Sequence, residues 1–293
     1  MVIVKISGGL GNQLFQYSFG RALSIRLDVV LKLDIQTQHS FSGFTSRALG
    51  LSSYNLDFST AEESEIAKFR HFNSGILSRI ERKLTLNVPW LNKHYVVENQ
   101  NIHNKDLLNY SDNCYYDGYW QSEKYFKDYE DLIRKELSMK VSLDHKNRES
   151  LNEIESTDSI SIHIRRGDYL SVKAHRKLFA KCNLDYYYKA IKIMDSKYSN
   201  PIYFVFSDDI EWASAHLKGD RFRYIDFNAK NPGYDLHLMS HCKSNIIANS
   251  TFSWWGAWLN DNQEKKVISP ATWYNGSLNK SMKDLIPTKW IVI

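Results

Sequence analysis

Cysteine is scarce. Cys114, Cys182 and Cys242 stand far apart in a chain of 293 residues, and no two share a Cys-x-x-Cys spacing. A disulfide framework and a zinc ribbon are therefore excluded as organising devices, and a reducing compartment is the expected setting. Five prolines and 13 glycines leave no room for a long flexible or proline-rich linker. No apolar run approaches the roughly 20 residues that a membrane-spanning helix needs. The opening run Met1–Ile6 is too short for a secretory h-region, so the sequence predicts a cytoplasmic protein. Charge of one sign is lacking too: 38 basic against 33 acidic residues give a net +5. That suits an anionic small molecule or an acidic surface, and is too weak to argue for nucleic acid. What is plentiful is apolar and aromatic: 43% hydrophobic and 14% aromatic residues, with 18 Tyr and 8 Trp. The length serves two domains of roughly 150 residues or one large α/β domain.

The chain begins twice in the same way. Val2–Ile6 reads as a buried strand, followed by a glycine-rich turn, a helical spacing over Asn12–Leu27 and a second strand, Val29–Leu33. Helices are predicted over 61–72, 76–86 and Ser122–Ser138, and strands over 95–98 and 114–120. After a polar stretch, 144–157, the strand Ser159–Ile164 opens a second β/α series. It continues through a helix at 184–194, strands at 202–206 and 222–227, a short helix at 234–242, a strand at 245–248, a helix at 253–259 and a strand at 266–268. The expectation is an α/β protein of two Rossmann-like domains, residues 1–157 and 158–293.

Open α/β sheets bind ligands at the carboxyl ends of their strands. Four loops fall there. Gly8-Gly9-Leu10-Gly11-Asn12 is neither a Walker A loop nor G-x-G-x-x-G, but its glycines allow close backbone approach and a helix N-terminus follows. A tight turn without a ligand is the alternative. His163-Ile164-Arg165-Arg166-Gly167-Asp168 is richer. Period two puts His163 and Arg165 on one face, and two guanidiniums at a strand end call for anions such as a diphosphate; an ion pair with Asp168 is the bland reading. Ser207-Asp208-Asp209 invites a metal, but two adjacent carboxylates with no third ligand hold Mg²⁺ poorly. Capping of the next helix by Ser207 or Asp208 is preferred, with a bond to a base or ribose second. Asn249-Ser250-Thr251-Phe252-Ser253 opens a helix with hydroxyls and free N–H groups, either an anion cradle or a simple cap. Trp254, Trp255 and Trp258 follow at helical spacing and read as core. Segment 66–93 carries six basic residues against Glu81 alone, with Ile76, Leu77, Ile80 and Leu84 among them. It reads first as a solvated face over the core, and otherwise as a surface for anionic membrane.

The stretches SGGLGNQLFQYSFGRAL from Ser7, GYWQSEKYF from Gly118, SIHIRRGDY from Ser161, YFVFSDDIEW from Tyr203 and DLHLMSHCKSNIIANSTFSWWGAWL from Asp235 resemble, in order, the bacterial α-1,2-fucosyltransferases of glycosyltransferase family 11. That resemblance implies a GT-B type fold, two Rossmann-like domains facing a cleft, with the acceptor mainly on the first and GDP-fucose mainly on the second. It implies GDP-fucose as donor, a β-galactoside as acceptor and no metal or other cofactor. Arg165 would hold the β-phosphate, flanked by His163 and Arg166. Asp208 and Asp235 would meet the guanosine, and Ser250, Thr251 and Phe252 the diphosphate or base. Asn12 would face the donor phosphate or fucose across the cleft, with Gly9 and Gly11 as further substrate-binding candidates. Asp168 is the carboxylate nearest this cluster in sequence, as a base or, preferably, as an orienter of the arginines. Region 35–110 carries no matching motif, which leaves the acceptor open.

Inversion from a β-linked donor to an α-linked product needs no enzyme nucleophile. Its main demand is stabilisation of the leaving diphosphate, which arginines and helix N-termini can meet. Three rivals stand beside this reading: transfer from another nucleotide sugar, metal-dependent transfer through Asp208 and Asp209, and a non-catalytic sugar-binding module. The expected setting is cytoplasmic, with peripheral contact to the inner face of the membrane as the role open to segment 66–93 and no nucleic-acid partner.

Overall fold

The computed structural model describes residues 1–36, 49–71, 75–87, 93–98, 103, 113–140, 142–167, 172–276, 279 and 284–293. The chain divides into two compact units, Met1–Lys140 with Lys283–Leu285, and Val141–Met282 with Ile286–Ile293. Among the described residues no helix is long and apolar enough to cross a membrane.

In unit 1, β1 (Val2–Lys5), α1 (Leu10–Arg26), β2 (Leu31–Asp34), β3 (Ser59–Thr60), α2 (Glu63–Ile66), α3 (Gly75–Asn87), β4 (Tyr95–Val97), β5 (Cys114–Asp117) and α4 (Glu130–Glu136) follow in order. The strands pair in parallel in the order β3-β2-β1-β5-β4. Helix α1 is buried along nearly its whole length, against both β1 and β2. Gly20 makes this approach feasible, because a Cβ there would stand 2.6 Å from Val4 Cγ2 and 2.8 Å from Leu31 Cδ1. Ile3, Tyr95 and Tyr115 form one core layer with Ala61, Ile66 and Phe69.

In unit 2, α5 (His145–Ser156), β6 (Asp158–Ile164), α6 (Lys173–Leu178), α7 (Leu184–Asp195), β7 (Pro201–Ser207), α8 (Ile210–His216), β8 (Phe222–Ile225), α9 (Pro232–His241), β9 (Ser244–Ile246), α10 (Thr251–Leu259), β10 (Val267–Ser269) and β11 (Ile291–Val292) follow. This sheet is also parallel, in the order β11-β10-β9-β6-β7-β8. Strand β6 alternates β-branched isoleucine with small or polar residues, a pattern suited to a pleated strand. Ile160, Ile162 and Ile164 pack with Tyr186, Tyr187, Ala190 and Met194 of α7. Phe204, Phe206 and Ile225 pack with Ile154 of α5 and with Leu238 and Met239 of α9. Both faces of the sheet are thus covered, as parallel sheets require. Trp254, Trp255 and Trp258 are buried and stack on one another in α10, so they are core.

Two expectations are corrected. The division falls after Lys140, not after residue 157. The polar stretch 144–157 is helix α5, started by Asp144, whose carboxylate accepts the Asn147 N–H at 2.9 Å. Ile154 then enters the core of unit 2, and Asn147 exchanges hydrogen bonds of 2.9 and 2.8 Å with Asn228. Helix Ser122–Ser138 is also shorter than its periodicity suggests. It starts as 3-10 turns over Glu123–Tyr125 and Lys127–Tyr129, separated by Phe126 at φ −133°, before α4 begins.

Candidate active site

In each sheet the first strand is flanked on either side by strands reached in opposite directions, and at such a reversal the loops diverge and leave room for a ligand. In unit 1 the reversal lies between β1 and β5, and in unit 2 between β6 and β9. The loops after β1, β6 and β9 lie at these two points, and the loop 207–209 ends β7, on the other side of β6.

In unit 1 the loop after β1 is fixed by two buried glutamines of α1. Gln16 Oε1 accepts the Ser7 N–H at 2.9 Å, and Gln16 Nε2 donates to Gly118 O at 2.9 Å. Gln13 Nε2 donates to Gly8 O at 3.0 Å while its Oε1 accepts the Gly50 N–H at 3.0 Å. Gly8 has φ +79°, a left-handed conformation suited to glycine. Gly9 caps α1, and Gly11 and Asn12 lie in its first turn. Across the reversal, Gln121 Nε2 donates to Asn12 Oδ1 at 3.0 Å. The turn after β5 is held by buried Glu98, which accepts the N–H groups of Tyr119 at 2.6 Å and Trp120 at 3.0 Å. Burial pushes the Glu98 carboxyl up, against those two bonds. Burial also pushes Asp117 up, but Lys5, Arg82 and Arg70 outweigh it and hold its carboxyl below the usual range. Sequence reasoning missed Glu98, which lies where no motif was visible, and quoted Gln121 without a role.

In unit 2 the ends of β6, β7 and the loop after β9 are neighbours, because these strands are adjacent in the sheet. His163 and Phe252 bring two of them together, ring centroids 5.6 Å apart. Burial first, then the Arg165 charge, push His163 down to about 3, so the ring is neutral at working pH. Its Nδ1 is buried with no partner among the described residues. A neutral ring whose Nδ1 carries the proton is a single N–H donor.

The two arginines do meet anions. Arg165 Nη1 lies 3.0 Å from Asp208 Oδ2, and the Arg166 backbone N–H donates to Asp208 Oδ1 at 2.8 Å. Arg166 Nε lies 3.0 Å from Asp209 Oδ2, and its guanidinium carbon stands 3.9 Å from the Trp212 ring centroid. Among the described residues, Asp208 and Asp209 are partners of the two arginines; Asp168 lies outside the described residues. The cap of α8 is Asp209, not Ser207 or Asp208: its Oδ1 accepts the Trp212 N–H at 3.2 Å. Ser207 supports it by accepting the Asp209 N–H at 2.9 Å. Trp212 stood inside a quoted motif without a role. Only the fold shows that its ring covers Arg166.

Ser250 caps α10, accepting the Phe252 N–H at 3.3 Å, and Thr251 is the first helical residue. Asn249 locks the preceding turn, its Nδ2 donating to Ala180 O at 2.8 Å and Trp273 O at 2.9 Å. Asp235, in the first turn of α9, accepts from Asn228 Nδ2 at 2.8 Å, and burial pushes its carboxyl up to about 7. The candidates therefore fall into two groups: Gly9, Gly11 and Asn12 in unit 1, and His163, Arg165, Arg166, Asp208, Asp235, Ser250, Thr251 and Phe252 in unit 2. Among the described residues no three His, Cys, Asp or Glu side chains are grouped so as to hold a metal ion.

The model of glycosyl transferase family 11 matches residues 1–293. The chain belongs to that family. It is 32% identical over 302 residues to an α-1,2-colitosyltransferase of Escherichia coli, covering 100% of this chain and 99% of that one. It is 33% identical over 313 residues to the O-antigen biosynthesis glycosyltransferase WbnK of Escherichia coli, covering 98% of each. A galactoside α-(1,2)-fucosyltransferase 1 of Saimiri sciureus is 30% identical over 103 residues, 34% of this chain and 28% of that one. Among solved structures, NodZ α-1,6-fucosyltransferase soaked with GDP-fucose is similar at 13% identity with a TM-score of 0.48, covering 88% of this chain and 92% of that one. The family 11 chain is a glycosyltransferase of two parallel α/β units.

Proposed function

We propose that this family 11 enzyme is an inverting α-1,2-fucosyltransferase that moves L-fucose from GDP-β-L-fucose to the 2-hydroxyl of a β-galactoside, in synthesis of surface polysaccharide of the O-antigen kind. The observation that carries the reading is the cluster at the end of β6, where Arg165 and Arg166 supply positive charge and the His163 ring stands 5.6 Å from the Phe252 ring at the positive end of α10. The acceptor oxygen attacks fucose C1, the bond from C1 to the β-phosphate oxygen breaks with its electron pair going to GDP, and the hydroxyl proton passes to water. Charge grows on the diphosphate, and Arg165 is placed to bind it as it grows. Arg166 flanks it, and the positive end of the α10 dipole adds to their charge. His163 donates one hydrogen bond to a donor oxygen. Asp208 and Asp209 hold the two guanidiniums in position, and Asp235 receives the guanine N–H groups. Gly9, Gly11 and Asn12 make the substrate contact of unit 1, which we take as mainly the acceptor side. The arginines supply the charge that a metal would otherwise bring, so no cofactor is required. The free, largely buried cysteines suit a reducing, cytoplasmic setting.

A second reading has a specific support, the full-length similarity to a colitosyltransferase. Colitose is L-fucose without the 3-hydroxyl. A site built to hydrogen-bond that hydroxyl discriminates strongly against its loss. The test offers GDP-fucose and GDP-colitose, each with simple β-galactosides, and reads the product linkage by NMR. Preference for GDP-fucose with an α-1,2 product is expected. Preference for GDP-colitose would transfer the assignment to that sugar.

A further inference from the structure

Helix α3 is turned inside out. Its inward side is polar: Arg70 Nη2 donates to Ser78 Oγ at 3.0 Å, Glu81 Oε1 accepts the His71 N–H at 2.8 Å, and Arg82 Nε lies 3.5 Å from Asp117 Oδ2. Thr85 is its one buried residue. Its outward side is apolar: Ile76, Leu77, Ile80 and Leu84 are 73, 54, 48 and 52% exposed. These four are half of the exposed large hydrophobic residues among those described. At 3.6 residues per turn they share an arc of about 100°. Arg79 and Lys83, both exposed, border that arc on one side. Glu81 is the helix's only acidic residue; it is half-buried, and its Oε1 is taken up by the His71 N–H.

A helix that merely covers a core presents its apolar stripe to that core. Here the stripe faces away, while the polar side is fully used in holding the helix to unit 1. One edge of the stripe is cationic, and the helix's single carboxylate is bonded to the His71 N–H. That combination of an apolar face and a basic border matches an anionic lipid surface, which takes the side chains into its acyl boundary and pairs the cations with headgroups. We propose that the outer face of α3 docks this enzyme on an anionic membrane, with Ile76, Leu77, Ile80 and Leu84 inserted and Arg79 and Lys83 at headgroup level. The docking is independent of which sugar is transferred, and it would hold the enzyme beside acceptors carried on lipid.

The test is flotation of the full chain with vesicles of phosphatidylcholine alone or mixed with phosphatidylglycerol, at low and high salt. Recovery with the anionic vesicles should exceed that with neutral ones by about tenfold or more at low salt and fall as salt rises. Ile80→Asn with Leu84→Asn should lower vesicle affinity by at least roughly tenfold, since two large side chains lose their insertion. Arg79→Gln with Lys83→Gln should cost on the order of fivefold per charge removed, on anionic vesicles alone. Both variants should melt as wild type does and should transfer sugar to a soluble galactoside at the wild-type rate. If the apolar pair disturbs folding, the charge pair still decides the matter. Equal recovery from neutral and anionic vesicles at low salt overturns the proposal. So does sedimentation showing a dimer that Ile80→Asn with Leu84→Asn dissolves while neither protein floats, which would give the face to a second copy of the chain.

Discussion

The Arg166 guanidinium carbon lies 3.9 Å from the centre of the Trp212 ring, while its Nε holds Asp209 at 3.0 Å. Ring and carboxylate together fix the plane of the fork, because Asp209 also caps the helix that carries Trp212. The aromatic face contributes roughly 0.5–2 kcal/mol at such a site. Trp212→Ala should therefore raise the KM for the nucleotide-sugar donor by roughly 2–30-fold, with kcat changed less. Trp212→Phe should recover part of the loss. Steady-state kinetics with a galactoside acceptor check this. An unchanged donor KM in Trp212→Ala would show that the stacked arginine is not part of the donor site.

Chelation should leave activity essentially intact. Asp208 and Asp209, the only pair that suggested a metal, are each committed to an arginine at 3.0 Å. A cation seated there would have to displace both guanidiniums. Assay with excess EDTA, then with added Mn²⁺ or Mg²⁺, measures it. Loss on chelation with recovery on adding metal contradicts the arginine mechanism.

The two beginnings of the chain, Val2–Lys5 and Asp158–Ile164, were legible because each strand runs straight into a glycine or arginine turn. The convergence of loops was not. Residues 207–209 meet 165–166 because β7 joins one side of β6, and Phe252 meets His163 because β9 returns to the other side; spacing does not encode which side a strand joins. Helix α5 escaped notice because only Leu151 and Ile154 give it an apolar face, and the domain boundary moved with it. Glu98 gave no signal, since a carboxylate that braces a turn through two backbone N–H groups looks like any other acidic residue. Asp209 displaced Asp208 as the cap because Asp208 is taken up by Arg165 and the Arg166 N–H.

Asp235 links the proposed guanine contact to pH. Burial raises its carboxyl to about 7, opposed by the bond from Asn228. The folded chain therefore holds a proton that the unfolded chain releases near 3.8. This contribution to stability is full below about pH 4 and is lost as pH rises through about 7. Asp235→Asn should stabilise the protein at pH 8, by on the order of 2 kcal/mol given the residue's partial exposure. At pH 4 it should have little effect. Guanine N–H donors favour the ionised carboxylate, so GDP should bind more tightly as pH rises from 6 to about 7.5, by up to about tenfold per unit. Calorimetry of wild type against Asp235→Asn removes the nucleotide's own titration, and an identical pH slope in the two would assign Asp235 a structural role only.

Arg165→Lys separates geometry from charge at the leaving group. Lysine keeps the positive charge but loses the planar fork, and with it the ability to hold Asp208 and a phosphate oxygen at once. One charge-assisted hydrogen bond is worth about 1.5–3 kcal/mol, and more where it strengthens as charge moves onto the diphosphate. The expected loss in kcat/KM is roughly 10–10³-fold. It should fall mainly on kcat, because the bond matters most as C1–O cleavage proceeds. Arg165→Ala should lose more and weaken GDP binding too, since it leaves Asp208 with the Arg166 N–H but no cation. Arg165 stands just past the end of β6 with its side chain 19% exposed, so neither change should abolish folding; circular dichroism and a melting curve should accompany the kinetics. A well-folded Arg165→Lys enzyme with near wild-type kcat/KM would move the diphosphate contact to Arg166 or to the start of α10.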